Sequence, residues 1–162
     1  MAFNVLKTHN IRLDIKKLYS NMGFSIIETF LPKEIESLLI SEEKIVYINK
    51  TADSKRKNFL LLFEFLYYIL FGVMISCFTH SITYNYNFST EKNNIVYEKI
   101  INDFISDETI YDFIEEKKPE SFASLAYFLS DFLHLPINII LEKLYKLKIE
   151  TTFERRENHF IG

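Results

Sequence analysis

Near the start of the chain, apolar residues recur with helical period: Ile11, Ile15, Leu18, Tyr19 and Met22 fall at i, i+4, i+7, i+8 and i+11. One stripe on one face predicts an amphipathic first helix, and Gly23 is placed to stop it. The pattern then shortens. Phe24–Phe30, Ser37–Ile40 and Lys44–Asn49 are runs rich in Ile, Val, Leu and Tyr, with Ser41-Glu42-Glu43 between the last two. They read as strands, the last two forming a hairpin. The polar stretch 50–58 holds Asp53 and Ser54 as candidate caps and Lys55-Arg56-Lys57, before an apolar run and a long helix set in near Phe59. Between Ser81 and Thr90, Ile82, Tyr84, Tyr86 and Phe88 alternate with Thr and Asn, the period of a half-buried strand.

The rest is helical by period. Tyr97, Ile100, Ile101, Phe104 and Ile105 make one stripe, and Ile110, Phe113 and Ile114 a shorter one behind a capping Asp107. Beyond Lys117-Lys118-Pro119, Phe122, Leu125, Ala126, Leu129, Phe132 and Leu133 share a face. Pro136 sits where a first-turn proline opens a helix ending near Leu147, so a closing helix pair with a tight joint is predicted. Residues 150–162 are polar and aperiodic and read as a loosely packed tail after a single domain over 1–149.

Composition narrows the classes. A chain of 162 residues suits one core, and 16 Phe and 10 Tyr against three Gly and three Pro argue for packed structure. A net charge of −3 provides no concentrated basic face for phosphates, so direct nucleic-acid binding is not expected. The single Cys77 excludes an internal disulfide framework, and residues 1–7 lack the pattern of a secretory leader; a cytoplasmic location is the expectation.

Residues 59–78 raise the membrane question, because their only formal charge is Glu64 and 20 residues can cross a hydrocarbon core of about 30 Å. Thirteen are Leu, Ile, Phe or Val. Each contributes roughly −0.3 to −0.6 kcal/mol at a helix centre against about +3 for a carboxylate, so a membrane-anchored protein is one reading. The other helices are amphipathic, as they would be around a buried central helix, and that reading is preferred.

Three stretches share a familiar order: Ile45-Val46-Tyr47-Ile48-Asn49, then Arg56-Lys57-Asn58-Phe59, then Phe63-Glu64-Phe65-Leu66-Tyr67-Tyr68-Ile69-Leu70. They resemble the ImmA/IrrE-type metallopeptidases. In that family a strand ending in an Ile-x-Ile-Asn-like sequence precedes Arg-x-x-Phe and a helix carrying His-Glu-Leu-Gly-His. Two imidazoles at i and i+4 share a zinc ion there, and the intervening Glu acts on the metal-bound water. Here the histidine positions fall on Phe63 and Tyr67, with Glu64 at the general-base position and Phe71 one turn on. The family's third ligand comes from a Glu-x-x-Ala-Asn-x-Phe-Ala helix, which Glu98-Lys99-Ile100-Ile101-Asn102-Asp103-Phe104-Ile105 matches at Glu98, Asn102 and Phe104. Leu125-Ala126 through Leu135-Pro136 is similar to its closing helix pair.

The resemblance implies an α+β fold: a mostly helical, zincin-like domain with a small β-sheet, a long buried central helix and a C-terminal helix pair. It also implies a pseudopeptidase, since phenylalanine has no lone pair for zinc and a phenol of pKa near 10 is a poor substitute for imidazole. No metal or cofactor is expected. The partner it implies is a protein, such as a helix-turn-helix regulator of a mobile element or stress response. An enzyme using Glu64 and Glu98 as acid and base is a further reading, which requires both carboxyls in one cleft. Cys77-Phe78-Thr79-His80 pairs two potential zinc ligands with no second pair in sight, and His9, His134 and His159 lie far apart. A helix-turn-helix reading of 120–147 has only Lys143, Lys146 and Lys148 to offer DNA, offset by Glu142.

Overall fold

The computed structural model describes residues 14–32, 34–72, 75–79, 90–149 and 153. It is α+β, with six helices and one mixed four-stranded sheet among those residues. Contacts group the chain into two compact units, one over residues 13–100 and the other from residue 101 onward.

In the first unit, helix α1 (Ile15–Asn21) is capped by Asp14 and buries Ile15 and Tyr19. It stops at Met22, and Gly23 follows in the left-handed region at φ 76°, a conformation that costs glycine little. Strands β1 (Ser25–Thr29), β2 (Ile35–Ile40) and β3 (Ile45–Asn49) come next, β1 and β3 within the runs expected to form them and β2 starting at Ile35, two residues before the expected Ser37. The 41–44 turn closes the β2–β3 hairpin in a register that sets Ser37 opposite Ile48 and Leu39 opposite Val46. β1 runs parallel to β3, and the sheet order is β1-β3-β2-β4.

Asp53 caps helix α2 (Ser54–Phe71), its carboxylate accepting from the Arg56 amide at 2.8 Å. Every residue from Phe59 to Tyr67 is buried. The sheet, α1 and α3 (Thr90–Lys99) all pack against this helix, so it has no solvent face to reserve for polar residues. That explains the apolar run without a bilayer. The run is not one helix: α2 ends at Phe71, Gly72 caps it at φ 57°, and β4 (Ile75–Thr79) pairs antiparallel with β2. The helix over 59–78 invoked for a membrane anchor does not form, because α2 ends at a left-handed glycine and residues 75–79 join the sheet as β4. Among the described residues no helix is long and apolar enough to cross a membrane.

The strand expected between Ser81 and Thr90 lies outside the described residues, save Thr90, which opens α3. A π-helical turn (Ile100–Phe104) continues α3, and the boundary between the units falls inside it. In the second unit, α4 (Asp107–Lys117) is capped by Ser106, not Asp107; the Ser106 hydroxyl accepts from the Thr109 amide at 3.2 Å. Asp107 occupies the first turn instead, where its charge favours the helix dipole. Helix α5 (Phe122–Leu133) begins with a Ser121/Ser124 capping box and ends at His134, which takes the left-handed conformation at φ 53°. Helix α6 (Ile137–Lys146) follows directly, with Pro136 just outside its first turn. The residues after Ile149 lie outside the described set except Phe153, which is buried against the Phe122 ring and so departs from the expected loose tail.

Lys143 of α6 is buried and ion-paired with Asp107 at 2.6 Å, joining α6 to the start of α4. Asp107 is more than half exposed, which weakens the pair, yet a lone buried ammonium is costly. Asp107→Ala is expected to destabilise the protein by about 1–2 kcal/mol. Adding Lys143→Met is expected to recover most of that loss in urea denaturation, because the methionine keeps the packing and removes the stranded charge.

Candidate functional site

The site begins at the N-terminus of α2, where framework residues of the three resembling stretches have structural work. Arg56 holds Glu36 of β2 through both nitrogens of its fork, Nε at 2.6 Å and Nη2 at 2.7 Å. Its guanidinium lies 5.1 Å from the Phe59 ring and 5.2 Å from Phe78. Lys57 reaches Glu28 of β1 at 2.7 Å. Asn49 ends β3 by donating to the Ile35 carbonyl at 3.2 Å and accepting from the Thr51 amide at 3.1 Å. The two ion pairs tie the start of α2 to β2 and β1, and Asn49 ties the end of β3 to the start of β2.

Helical spacing places Phe59, Phe63, Tyr67 and Phe71 on one face of α2. Their rings run as a continuous stack: Phe59–Phe63 at 6.2 Å, Phe63–Tyr67 at 6.1 Å and Tyr67–Phe71 at 5.1 Å between centroids. Phe78 of β4 packs edge-on against Phe63 at 4.7 Å and Phe59 at 5.8 Å, and Tyr97 of α3 covers Phe59 at 6.2 Å. The Lys92 ammonium sits over Phe71 at 5.1 Å. The face that would carry two imidazoles is filled by rings that satisfy one another.

Glu64, one position round the helix, turns to the sheet. Its exposure is 0%. Ser37 of β2 donates to Oε1 at 2.5 Å, Ser76 of β4 donates to Oε2, and the Phe78 backbone adds a third hydrogen bond. Burial pushes the Glu64 carboxyl above its usual range, and these three bonds oppose the shift without cancelling it. Burial, and secondarily the Glu64 charge, raises the Tyr67 phenol, taking it further from the phenolate a metal would need. The same causes raise Tyr19 well above an ordinary phenol and push the Cys77 thiol up to about 12. Such a thiol is inert at neutral pH. Tyr19 donates to the Leu61 carbonyl at 2.9 Å.

Phe63, Glu64 and Tyr67 are thus gathered on one buried helix, whereas Glu98 is exposed on α3. The two carboxyls do not face one open cleft, because Glu64 faces no solvent at all. Among the described residues no three His, Cys, Asp or Glu side chains stand close enough to hold a metal ion. Cys77 is buried in β4, while His80, His9 and His159 lie outside the described residues. His134 serves the α5–α6 joint. Lys143, one of three lysines available to a DNA-binding reading of the closing pair, is buried against Asp107. Sequence reasoning missed Ser37 and Ser76, because Ser37 stood at the start of a strand run and Ser76 in the 59–78 stretch read as helix. No family model, characterised protein or solved structure was found to match the chain.

The raised Glu64 pKa fixes a sign. A carboxyl whose pKa is higher folded than unfolded contributes its full stability below the unfolded value, about 4.3, and loses it as pH rises through the folded value. Glu64→Gln keeps one acceptor and one donor for the serines and cannot ionise. Thermal melts are expected to show wild type losing stability relative to Glu64→Gln as pH rises from 4 towards 8. Glu64→Ala is expected to cost about 3 kcal/mol throughout, since it leaves both hydroxyls unpaired beside a cavity. A wild-type advantage over Glu64→Gln that grows with pH would contradict the assignment.

Proposed function

We propose that the chain is a catalytically silent, zincin-like relative of the ImmA/IrrE-type metallopeptidases, acting by binding another protein. The observation that carries this reading is the closed ring stack at Phe63 and Tyr67 beside a Glu64 whose two oxygens are both consumed by serines. A zinc peptidase helix needs lone pairs and a water-accessible carboxylate at these positions, and both have been given over to packing. The framework around them is kept: Arg56 holds β2, Asn49 ends β3, and the helix rises from the sheet with Glu64 in the general-base position. Retained framework with a filled centre favours recognition without cleavage.

The partner type follows by analogy. Active members of the resembled family cleave helix-turn-helix repressors, so a silent relative would hold such a regulator, in the cytoplasm, without cutting it. Regulation of a mobile element or stress response is the corresponding role. The acid–base reading is disfavoured by the sealed carboxyl of Glu64, and the membrane-anchor reading by the break at Gly72.

Zinc titration tests the silent centre. Purified protein stripped with chelator and dialysed against zinc is expected to retain well below one equivalent by atomic absorption, with no change when Glu98 is replaced by Ala. Stoichiometric zinc that Glu98→Ala abolishes would overturn the reading, as would zinc-dependent cleavage of an offered helix-turn-helix repressor.

A further inference from the structure

The sheet ends at β1, on the edge away from β4 and the ring stack that Phe78 covers. The Ser25 amide donates to the Lys44 carbonyl at 2.8 Å and the Lys50 amide to the Thr29 carbonyl at 2.7 Å. The odd-numbered residues of β1 thus turn their backbone groups to β3, and the N–H and C=O groups of Ile26 and Glu28 point outward. Among the described residues nothing pairs with those outward groups. β1 has no proline, lysine or bulge, the features that commonly keep an edge from pairing. Ile27 is 38% exposed, and Phe30, just past the strand, 72%. The edge is open, with apolar side chains in water beside it.

Charge collects on one side of this edge. Glu28 faces α2, and its carboxyl is held below its usual range chiefly by the hydrogen bond from Lys57, with the ammonium charges of Lys57, Lys16 and Lys50 adding to it. Lys57 is committed to Glu28 at 2.7 Å. Lys16 and Lys50 are exposed, and among the described residues neither has an ion pair. The acids nearest to them in sequence, Asp14 and Asp53, accept from the helix amides that they cap. Once Glu28 is matched with Lys57, the charges of Lys16 and Lys50 are in excess.

A strand laid along β1 would pair the outward backbone groups and turn alternate side chains to opposite faces, one set beside Ile27 and the other beside Glu28 and its lysines. A second copy of the chain would add its own surplus lysines to these. A phosphate surface would meet the lysines and leave the backbone groups unpaired. We propose that the outer edge of β1 takes up an extended segment of another protein as a further strand, apolar at alternate positions and acidic at the others. This deepens the protein-binding reading and rests on it, by naming the surface and the chemistry of the partner. Backbone pairing and the contact with Ile27 supply the affinity, and Lys16 and Lys50 fix which face of the incoming strand carries the acids.

The test uses the full-length chain and two extended peptides, one alternating valine with glutamate and one alternating valine with lysine. Calorimetry is expected to show binding of the valine–glutamate peptide that weakens with added salt, and none of the valine–lysine peptide. All amides on one edge of such a strand belong to one residue type. Of two N-methylated forms of the valine–glutamate peptide, one blocked at the valines and one at the glutamates, a single form is therefore expected to lose binding. Lys16→Glu with Lys50→Glu is expected to lower affinity at least about tenfold, and Tyr127→Ala, an exposed aromatic of the other unit, to leave it unchanged. Ile26→Pro removes an outward N–H without breaking the ladder to β3 and is expected to weaken binding similarly. Should that variant fail to fold by circular dichroism, the lysine variant and the N-methylated peptides decide. No binding of the valine–glutamate peptide, equal binding of both peptides, or indifference to either N-methylation would overturn the proposal. So would phosphatidylserine vesicles that bind and displace the peptide, or a dimer in sedimentation velocity that Ile26→Pro dissociates. A protein that took up stoichiometric zinc and still bound the valine–glutamate peptide along β1 would overturn the silent centre alone.

Discussion

The buried carboxyl of Glu64 sets the terms on which the first unit packs. It lies on a helix with no solvent face, so water cannot solvate it and protein groups must. In the β2–β4 register Ser37 is opposite Phe78 and Ser76 opposite Leu39, which makes the two serines diagonal neighbours on the face that meets α2. Diagonal side chains on adjacent strands stand about 7 Å apart, a span that the two oxygens of one carboxyl can bridge. Glu64 therefore joins α2 to β2 and β4 at once. The expense is tolerable in context: eight apolar side chains are buried between Phe59 and Tyr67, each worth roughly 2 kcal/mol, against a few for one hydrogen-bonded acid.

A polar group at that position also resolves an ambiguity. A helix that is apolar all round has no strong preference for its rotation about its own axis, because several rotations bury similar area. Glu64 has one rotation in which its oxygens meet two hydroxyls, and every other leaves them in hydrocarbon. Once that rotation is fixed, Phe63 and Tyr67 must face Phe78 and the α3 side, and Leu61 must present its carbonyl to Tyr19. Arg56 and Lys57 act in the same sense from the helix start, where their ion pairs to Glu36 and Glu28 fix which end of α2 lies over β1 and β2.

Local pattern made much of this legible and long-range pairing did not. The alternation and composition of 24–30, 37–40 and 44–49 are enough for three strands, because a strand's identity resides in its own side chains. That β1 runs parallel to β3 is a property of two distant segments, and neither carries a mark of its partner. Gly72 was the visible sign that 59–78 was two elements. Its weight was hidden by the apolar residues on both sides, which suit a buried helix and a buried strand equally. The serines show the same limit at the site: Ser37 and Ser76 gain meaning only after Glu64 has been placed between them. Ser106 took the cap from Asp107 because either residue can close the first turn, and the choice depends on a shift of one position.

The two aromatic stripes make the limit most definite, since Phe59-Phe63-Tyr67-Phe71 and Phe128-Phe132 have the same i+4 spacing and opposite fates. The first is closed by rings from β4 and α3, so its apolar area is already spent on folding. Among the described residues the second has one partner ring, from Phe113, and Phe128 remains half exposed. Spacing alone cannot separate the cases; what does is the neighbouring elements, since β4 and α3 bring Phe78 and Tyr97 onto the first stripe and, among the described residues, α4 brings only the Phe113 ring to the second.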